Sequence, residues 1–320
     1  MTTTIDASIS QEIMYKLDKD ANYIKKIPSS IQTEEMALEV IKKNVKLFKY
    51  VSVKTPKVCM EAINKDANAI KYIEKPTKEM CKKAIMLLPS AIQYIKEPSE
   101  VLCKLALERN GACLQYIKKQ TPSLCKIAVT STSSALQYVQ NQTEQICLMA
   151  VSKEGSALQY VKEQTKNIVL TSVMQDGLAL RFAKIIDDEI ITQALNQNGN
   201  ALAYVKEQNP SLCLTAILND PMAIKYADPQ TIELSLIAVL KNGLSIEHIK
   251  EQTKDICIEA IKQNPSALMH IRDKLPEYKV LAVRTCLNRI KQDYNYIKEI
   301  KDKVLKSVVV SLLIKQGVKE

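Results

Sequence analysis

Cys59, Cys81, Cys103, Cys125 and Cys147 recur every 22 residues, and Cys213 and Cys257 fall on the same count. Thiols at a fixed spacing could cross-link or ligate a metal. The same column, however, also holds Val169, Ile191 and Ser235. A slot that accepts Cys, Val and Ile is small and buried. Neighbouring repeats stack about 10 Å apart, whereas a disulfide needs Cα atoms within about 7 Å. The thiols therefore read as reduced packing residues of a cytosol-like compartment. His248 and His270 are the two histidines, and they too stand 22 residues apart, in a column otherwise held by aromatic residues. They read as packing positions rather than general bases. With no CxxC, HExxH, P-loop or GxGxxG in the chain, the expectation is no catalytic, metal or cofactor site and a protein that is not an enzyme.

Three further patterns could carry function. Asp187, Asp188 and Glu189 form an acidic run, but it falls where a helix begins, so capping is the better reading. The aromatic column runs from Tyr50 through Tyr72, Tyr94, Tyr116, Tyr138, Tyr160, Phe182, Tyr204 and Tyr226. It could stack bases, as some RNA-binding repeats do, or pack between repeats with the hydroxyl at the edge. The third pattern is polar. Two residues after the aromatic lie Lys96, Lys118, Lys162, Lys184, Lys206, Lys250 and Arg272, interrupted by Gln140 and Asp228. One residue before it lie Gln93, Gln115, Gln137 and Gln159. Four residues after it lie Gln120, Gln142, Gln164, Gln208, Gln230 and Gln252. On stacked repeats each column becomes a ladder along one face. Such a face is either solvated, with the glutamines bonding turns together, or it docks an acidic partner. The lysine column and the glutamines preceding the aromatic are the candidate partner-binding residues.

These columns must be held by a regular scaffold. Five residues after the aromatic comes Thr55, Thr77, Ser99, Thr121, Thr143, Thr165, Asp187, Asn209, Thr231 or Thr253, with Leu275 departing. These are preferred helix N-caps, because the side-chain oxygen accepts an otherwise unpaired N–H of the first turn. Pro56, Pro122, Pro210 and Pro276 follow at the first helical position, which tolerates proline. An alanine column runs from Ala62 to Ala282, with Ser172 the exception. Asn-Gly and Asp-Gly pairs such as Asn110-Gly111 and Asp176-Gly177 end the helix, and a left-handed glycine C-cap is expected there. A second helix of roughly seven residues follows, as in Ala157–Val161. Helices this short persist only by stacking. The expected fold is all-α: a right- or left-handed solenoid of about eleven 22-residue helix-turn-helix repeats over residues 45–290. Residues 1–44 would form an N-terminal cap or degenerate repeat, and 291–320 a C-terminal capping helix.

Segments such as ALQYVKEQT (157–165), ALAYVKEQNPSLCLTAI (201–217) and HIKEQTKDICIEAIKQN (248–264) carry a resemblance. They are similar to the helical domain-of-unknown-function repeats abundant in giant DNA viruses and found in some protists and intracellular bacteria. The resemblance implies a helical repeat and no established activity, and it brings no functional residues with it.

Composition narrows the remaining classes. The chain has 320 residues, 46% of them hydrophobic, and a net charge of +10. Lysine dominates, and residues 151–269 are slightly acidic, which disfavours the continuous arginine-rich stripe of a nucleic-acid binder. MTTTIDASIS lacks the regions of a signal peptide. Val304 to Ile314 is too short to span a bilayer. The expectation is a non-enzymatic scaffold that binds a protein or peptide, possibly acidic, along one face. RNA binding through the lysines and a structural role in a virion or assembly are the alternatives. The place for a distorted, pocket-building repeat is Phe182–Ile186. No membrane association is expected, and the compartment is a reducing cytoplasm, that of the host for a viral protein. The oligomeric state is left open.

Overall fold

The computed structural model describes residues 7–315, and among them every regular element is helical. Two compact units divide the chain, one ending at Ala150 and the other beginning at Val151. Both are built from one 22-residue module. In the second unit, α-helix Lys166–Gln175 is followed by one capping residue, Asp176, and then by the 3-10 helix Gly177–Phe182. A return over 183–187, extended at Ala183 and Asp187, leads to the next ten-residue α-helix, Asp188–Gln197. In the first unit, Pro56–Lys65, Asp66 and Ala67–Tyr72 repeat the pattern. The short helices that end on the aromatic column number eleven among the described residues, from Val45–Tyr50 to Pro265–His270. Elements within each unit pack on sequence neighbours, so the fold is an all-α solenoid.

The N-cap column behaves as expected. The Thr231 hydroxyl accepts the Leu234 N–H at 3.3 Å, and the Asn209 carboxamide accepts that of Leu212 at 2.9 Å. Asp187 does the same for Ile190 at 2.9 Å, so the acidic run opens a helix. Ser99 and Leu275 are the exceptions, with no side-chain capping bond. The helix body buries Leu124, Cys125, Ala128 and Val129 in one module and Ile256, Cys257, Ala260 and Ile261 in another. Ten residues are too few for a stable isolated helix, so this buried face holds each one in place.

Two expectations about the turn are corrected. The second helix is not a short α-helix of about seven residues but a six-residue 3-10 helix. Its i to i+3 bonds include Ala157 N–H to Glu154 O at 2.9 Å and Val161 N–H to Leu158 O at 3.0 Å. The glycines are not left-handed C-caps either. The helix-ending residue is extended, as at Asp176 (φ −145°, ψ 107°), and glycine begins the 3-10 helix instead. Glycine is required by closeness: a Cβ on Gly155 would stand 2.6 Å from the Ser172 carbonyl oxygen of the next module. Ser172 then explains its departure from alanine, because its hydroxyl donates to the Gly155 carbonyl at 2.8 Å.

The same corner holds a second capping column. Asp66, Asn110, Asp176, Asn198, Asp220, Asn242 and Asn264 each accept, through the side chain, the N–H two residues on. Their own N–H groups meanwhile close the preceding α-helix, as Asp66 N–H does on Ala62 O at 2.9 Å. One residue thus ends one helix and starts the next. At the C-terminal end the period breaks into Pro276–Gln292, Tyr296–Glu299 and Lys303–Lys315.

Candidate functional site

The glutamines four residues after the aromatic bind successive modules together. Gln164 Nε2 donates to the Phe182 carbonyl at 2.9 Å, and its Oε1 accepts the Lys184 N–H at 2.8 Å. Gln208, Gln230 and Gln252 repeat this bridge onto Tyr226 and Asp228, His248 and Lys250, His270 and Arg272. In the first unit Gln120 bridges to Tyr138 and Gln140. Gln32, one period before Lys54 on the same 22-residue count, bridges to Tyr50 and Ser52. Of the two readings available for this column, bonding between repeats is therefore the correct one.

The cysteine column joins the bridge. The thiols of Cys125 and Cys213 donate to the Oε1 of Gln120 and Gln208, at 3.7 and 3.4 Å. Cysteine is thus more than filler here, since it is a small side chain with a weak donor. All nine cysteines are buried free thiols. Burial raises their pKa values, with Cys113 and Cys286 pushed up to about 11. A thiol kept protonated is a poor nucleophile and a poor metal ligand. Among the described residues no group of three or more His, Cys, Asp or Glu could hold a metal ion. No described helix is long and apolar enough to cross a membrane.

The bridge fixes the backbone at Lys184, Lys250 and Arg272, whereas Lys96, Lys118 and Lys206 follow Pro76, Pro98 and Ile186 and lack it. Lys96 and Lys118 in the first unit are exposed, as are Lys162, Lys184, Lys206 and Lys250 in the second. Two members of the column also clip the module before them. Lys184 Nζ donates to the Lys162 carbonyl at 3.0 Å, and Arg272 Nη1 donates to the Lys250 carbonyl at 2.8 Å. Lys96, Lys118, Lys206 and Lys250 form no ion pair among the described residues.

The position before the aromatic has a local role. Gln93, Gln115, Gln137 and Gln159 are exposed, and each donates to the carbonyl three residues back, at 3.0 Å. Where that position is basic, the cation lies over the neighbouring ring instead. Lys71 stands 4.9 Å from the centroid of Tyr72, Arg181 4.5 Å from Phe182, and Lys225 4.6 Å from Tyr226. Those ring faces are already covered, which weakens base stacking as the purpose of the column. At the irregular segment near Phe182, Ile185 and Ile186 are exposed, at 39% and 47%.

Five of the eleven modules lack the bridging glutamine, because Lys54, Pro76, Pro98, Ile186 and Lys274 occupy its position, although Lys54 Nζ still donates to the Tyr72 carbonyl at 2.6 Å. At Pro76 the surface opens into a cleft of about 550 Å³ in the first unit. Tyr72, Tyr94 and the extended segment around Ile95 form its wall, and Lys54, Lys71, Lys78 and Lys96 surround it with Glu74 and Glu97. Four cations face two anions, so the cleft favours an anionic ligand. The sequence signal for this cleft was proline in a glutamine column, together with lysines outside the ladder at positions 54, 71 and 78.

The model of the family described as Domain of unknown function (DUF4116) matches residues 165–209 and 231–275. Each matched segment begins on an N-cap, Thr165 or Thr231, and contains two α-helices and two 3-10 helices. The chain is similar to this family over those segments, which together make up less than a third of it. No curated protein and no solved structure matches the chain.

Proposed function

We propose that the protein is a non-catalytic scaffold that binds an acidic protein or peptide along its lysine column. One observation carries this reading: a cation recurs at the same exposed position at Lys96, Lys118, Lys162, Lys184, Lys206 and Lys250, with the backbone at Lys184 and Lys250 pinned by the preceding glutamine. Repeated cations at fixed spacing present an electrostatic surface that selects partners by charge pattern. The buried, protonated thiols accord with a reducing compartment. A giant-virus source, which only the resemblance of the repeats suggests, would make that compartment the host cytoplasm.

The test is affinity capture from lysate of the native cell, comparing the wild type with a protein in which Lys96, Lys118, Lys206 and Lys250 are changed to Glu. A defined acidic partner should be recovered by the wild type and lost by the variant. Equal recovery by both would remove the lysine column from the reading. A gel shift with single-stranded RNA at two salt concentrations tests the nucleic-acid alternative. That alternative requires binding that weakens steeply with salt.

A further inference from the structure

The glutamine bridge makes a specific pair of hydrogen bonds. It donates to the carbonyl of the aromatic residue and accepts the N–H two positions later. A carbonyl and an N–H two residues apart, flanking an extended residue, are also the pair with which a strand receives one residue of a parallel neighbour. The carboxamide therefore fills a strand-pairing site from within the protein. At Pro76 nothing fills it. The flanked residue, Ile95, is extended (φ −94°, ψ 113°). Among the described residues no hydrogen bond reaches the Tyr94 carbonyl or comes from the Lys96 N–H. The same pair lies in the wall of the cleft, beneath the excess of lysines.

We infer that the Pro76 cleft binds an extended acidic peptide by strand addition. One peptide residue donates its N–H to the Tyr94 carbonyl and accepts the Lys96 N–H through its carbonyl. Acidic side chains on either side meet Lys54, Lys71, Lys78 and Lys96. Main-chain bonds supply affinity in this mode and side chains supply selection. This inference rests on the acidic-partner reading and adds where and how the partner engages. Proline at position 76 leaves the pairing site open, where glutamine would close it.

The experiment uses the full chain and a fluorescein-labelled peptide of alternating glutamate and valine, followed by fluorescence anisotropy. Binding is expected for the wild type. Pro76→Gln should raise the melting temperature, because the bridge is restored, and weaken peptide binding about tenfold. A peptide of the same sequence with N-methylated main-chain amides should bind at least about tenfold more weakly to the wild type. This second measurement involves no change to the protein. Equal binding of the N-methylated peptide, or unchanged binding by a folded Pro76→Gln variant, would overturn strand addition. So would a single-stranded oligouridylate that binds in the cleft while the acidic peptide does not. The two readings fail separately. Lost binding in the Lys206→Glu, Lys250→Glu variant with none lost in Pro76→Gln would leave the lysine column standing and remove the cleft. The reverse result would keep the cleft and remove the column.

Discussion

Gln230 holds Lys250 from one module away: its Oε1 accepts the Lys250 backbone N–H at 2.9 Å. Its Nε2 donates to the carbonyls of Ile224 at 2.8 Å and His248 at 3.1 Å. Gln230→Leu keeps the bulk and removes all three bonds. At about 1 kcal/mol net for each bond, the loss should be about 1–3 kcal/mol, read as a lower urea midpoint. Ile186→Gln tests the converse. It replaces an exposed isoleucine and offers a bridge to Tyr204 and Lys206, so it should stabilise by about 1–2 kcal/mol. A midpoint that does not rise would show that the bridge needs more than the right side chain.

Gly155→Ala sets two effects against each other. Gly155 has no positive φ, so alanine would ordinarily stabilise by about 0.4–1 kcal/mol through the unfolded chain. Its Cβ would meet the Ser172 carbonyl at 2.6 Å. Overpacking costs about 1–3 kcal/mol, and here the obstacle is backbone, so the clash wins. A net loss of stability is expected in thermal melts. A gain would mean that the two modules separate at little cost.

The thiols give a pH prediction. Burial raises their folded pKa values, to about 11 for Cys113 and Cys286, from 9.0. The protonated thiol is therefore the form that the fold favours. This contribution is fully present below pH 9 and is lost as the pH rises from about 9 toward about 11. Denaturant midpoints should fall across that window. At pH 7 an aromatic disulfide reagent should label the nine cysteines only as fast as the protein opens, and all of them once it is unfolded. Rapid labelling of the folded protein would contradict the burial.

Leu275 stands at an N-cap position without a capping bond and is 42% exposed. Leu275→Thr gives up little buried surface and supplies an acceptor for the first turn of Pro276–Gln292. A gain of about 1 kcal/mol is expected, measured by chemical denaturation. No gain would indicate that this helix end is already satisfied.

The parts of the fold that were legible in the sequence act locally. Thr231 caps through a hydroxyl three residues from its partner, so its column reads directly as a helix start. The alanine column and the aromatic column gave the period for the same reason. Gly155 misled because its constraint comes from Ser172, 17 residues away on another module, and no local rule contains that distance. Asn110 and Asp176 read as stop signals, but they both stop one helix and start the next. The lysine column was visible as a pattern. The Pro76 cleft was not, because it arises from a missing carboxamide, and an interruption in a column looks like noise until the bond it omits is known.

The reach of the glutamine bridge also bears on how the chain folds. Its bonds land 18 and 20 residues downstream, and the Ser172–Gly155 bond spans 17. Contacts within each unit join neighbouring elements. The loop that must close to dock a module is therefore about 20 residues, wherever in a unit it lies. Closure entropy grows with loop length, and folding rates fall with mean contact separation. Adding a module lengthens the chain without lengthening any loop. Each unit should therefore fold at the pace of a much shorter protein, with modules joining one after another on whichever pair forms first.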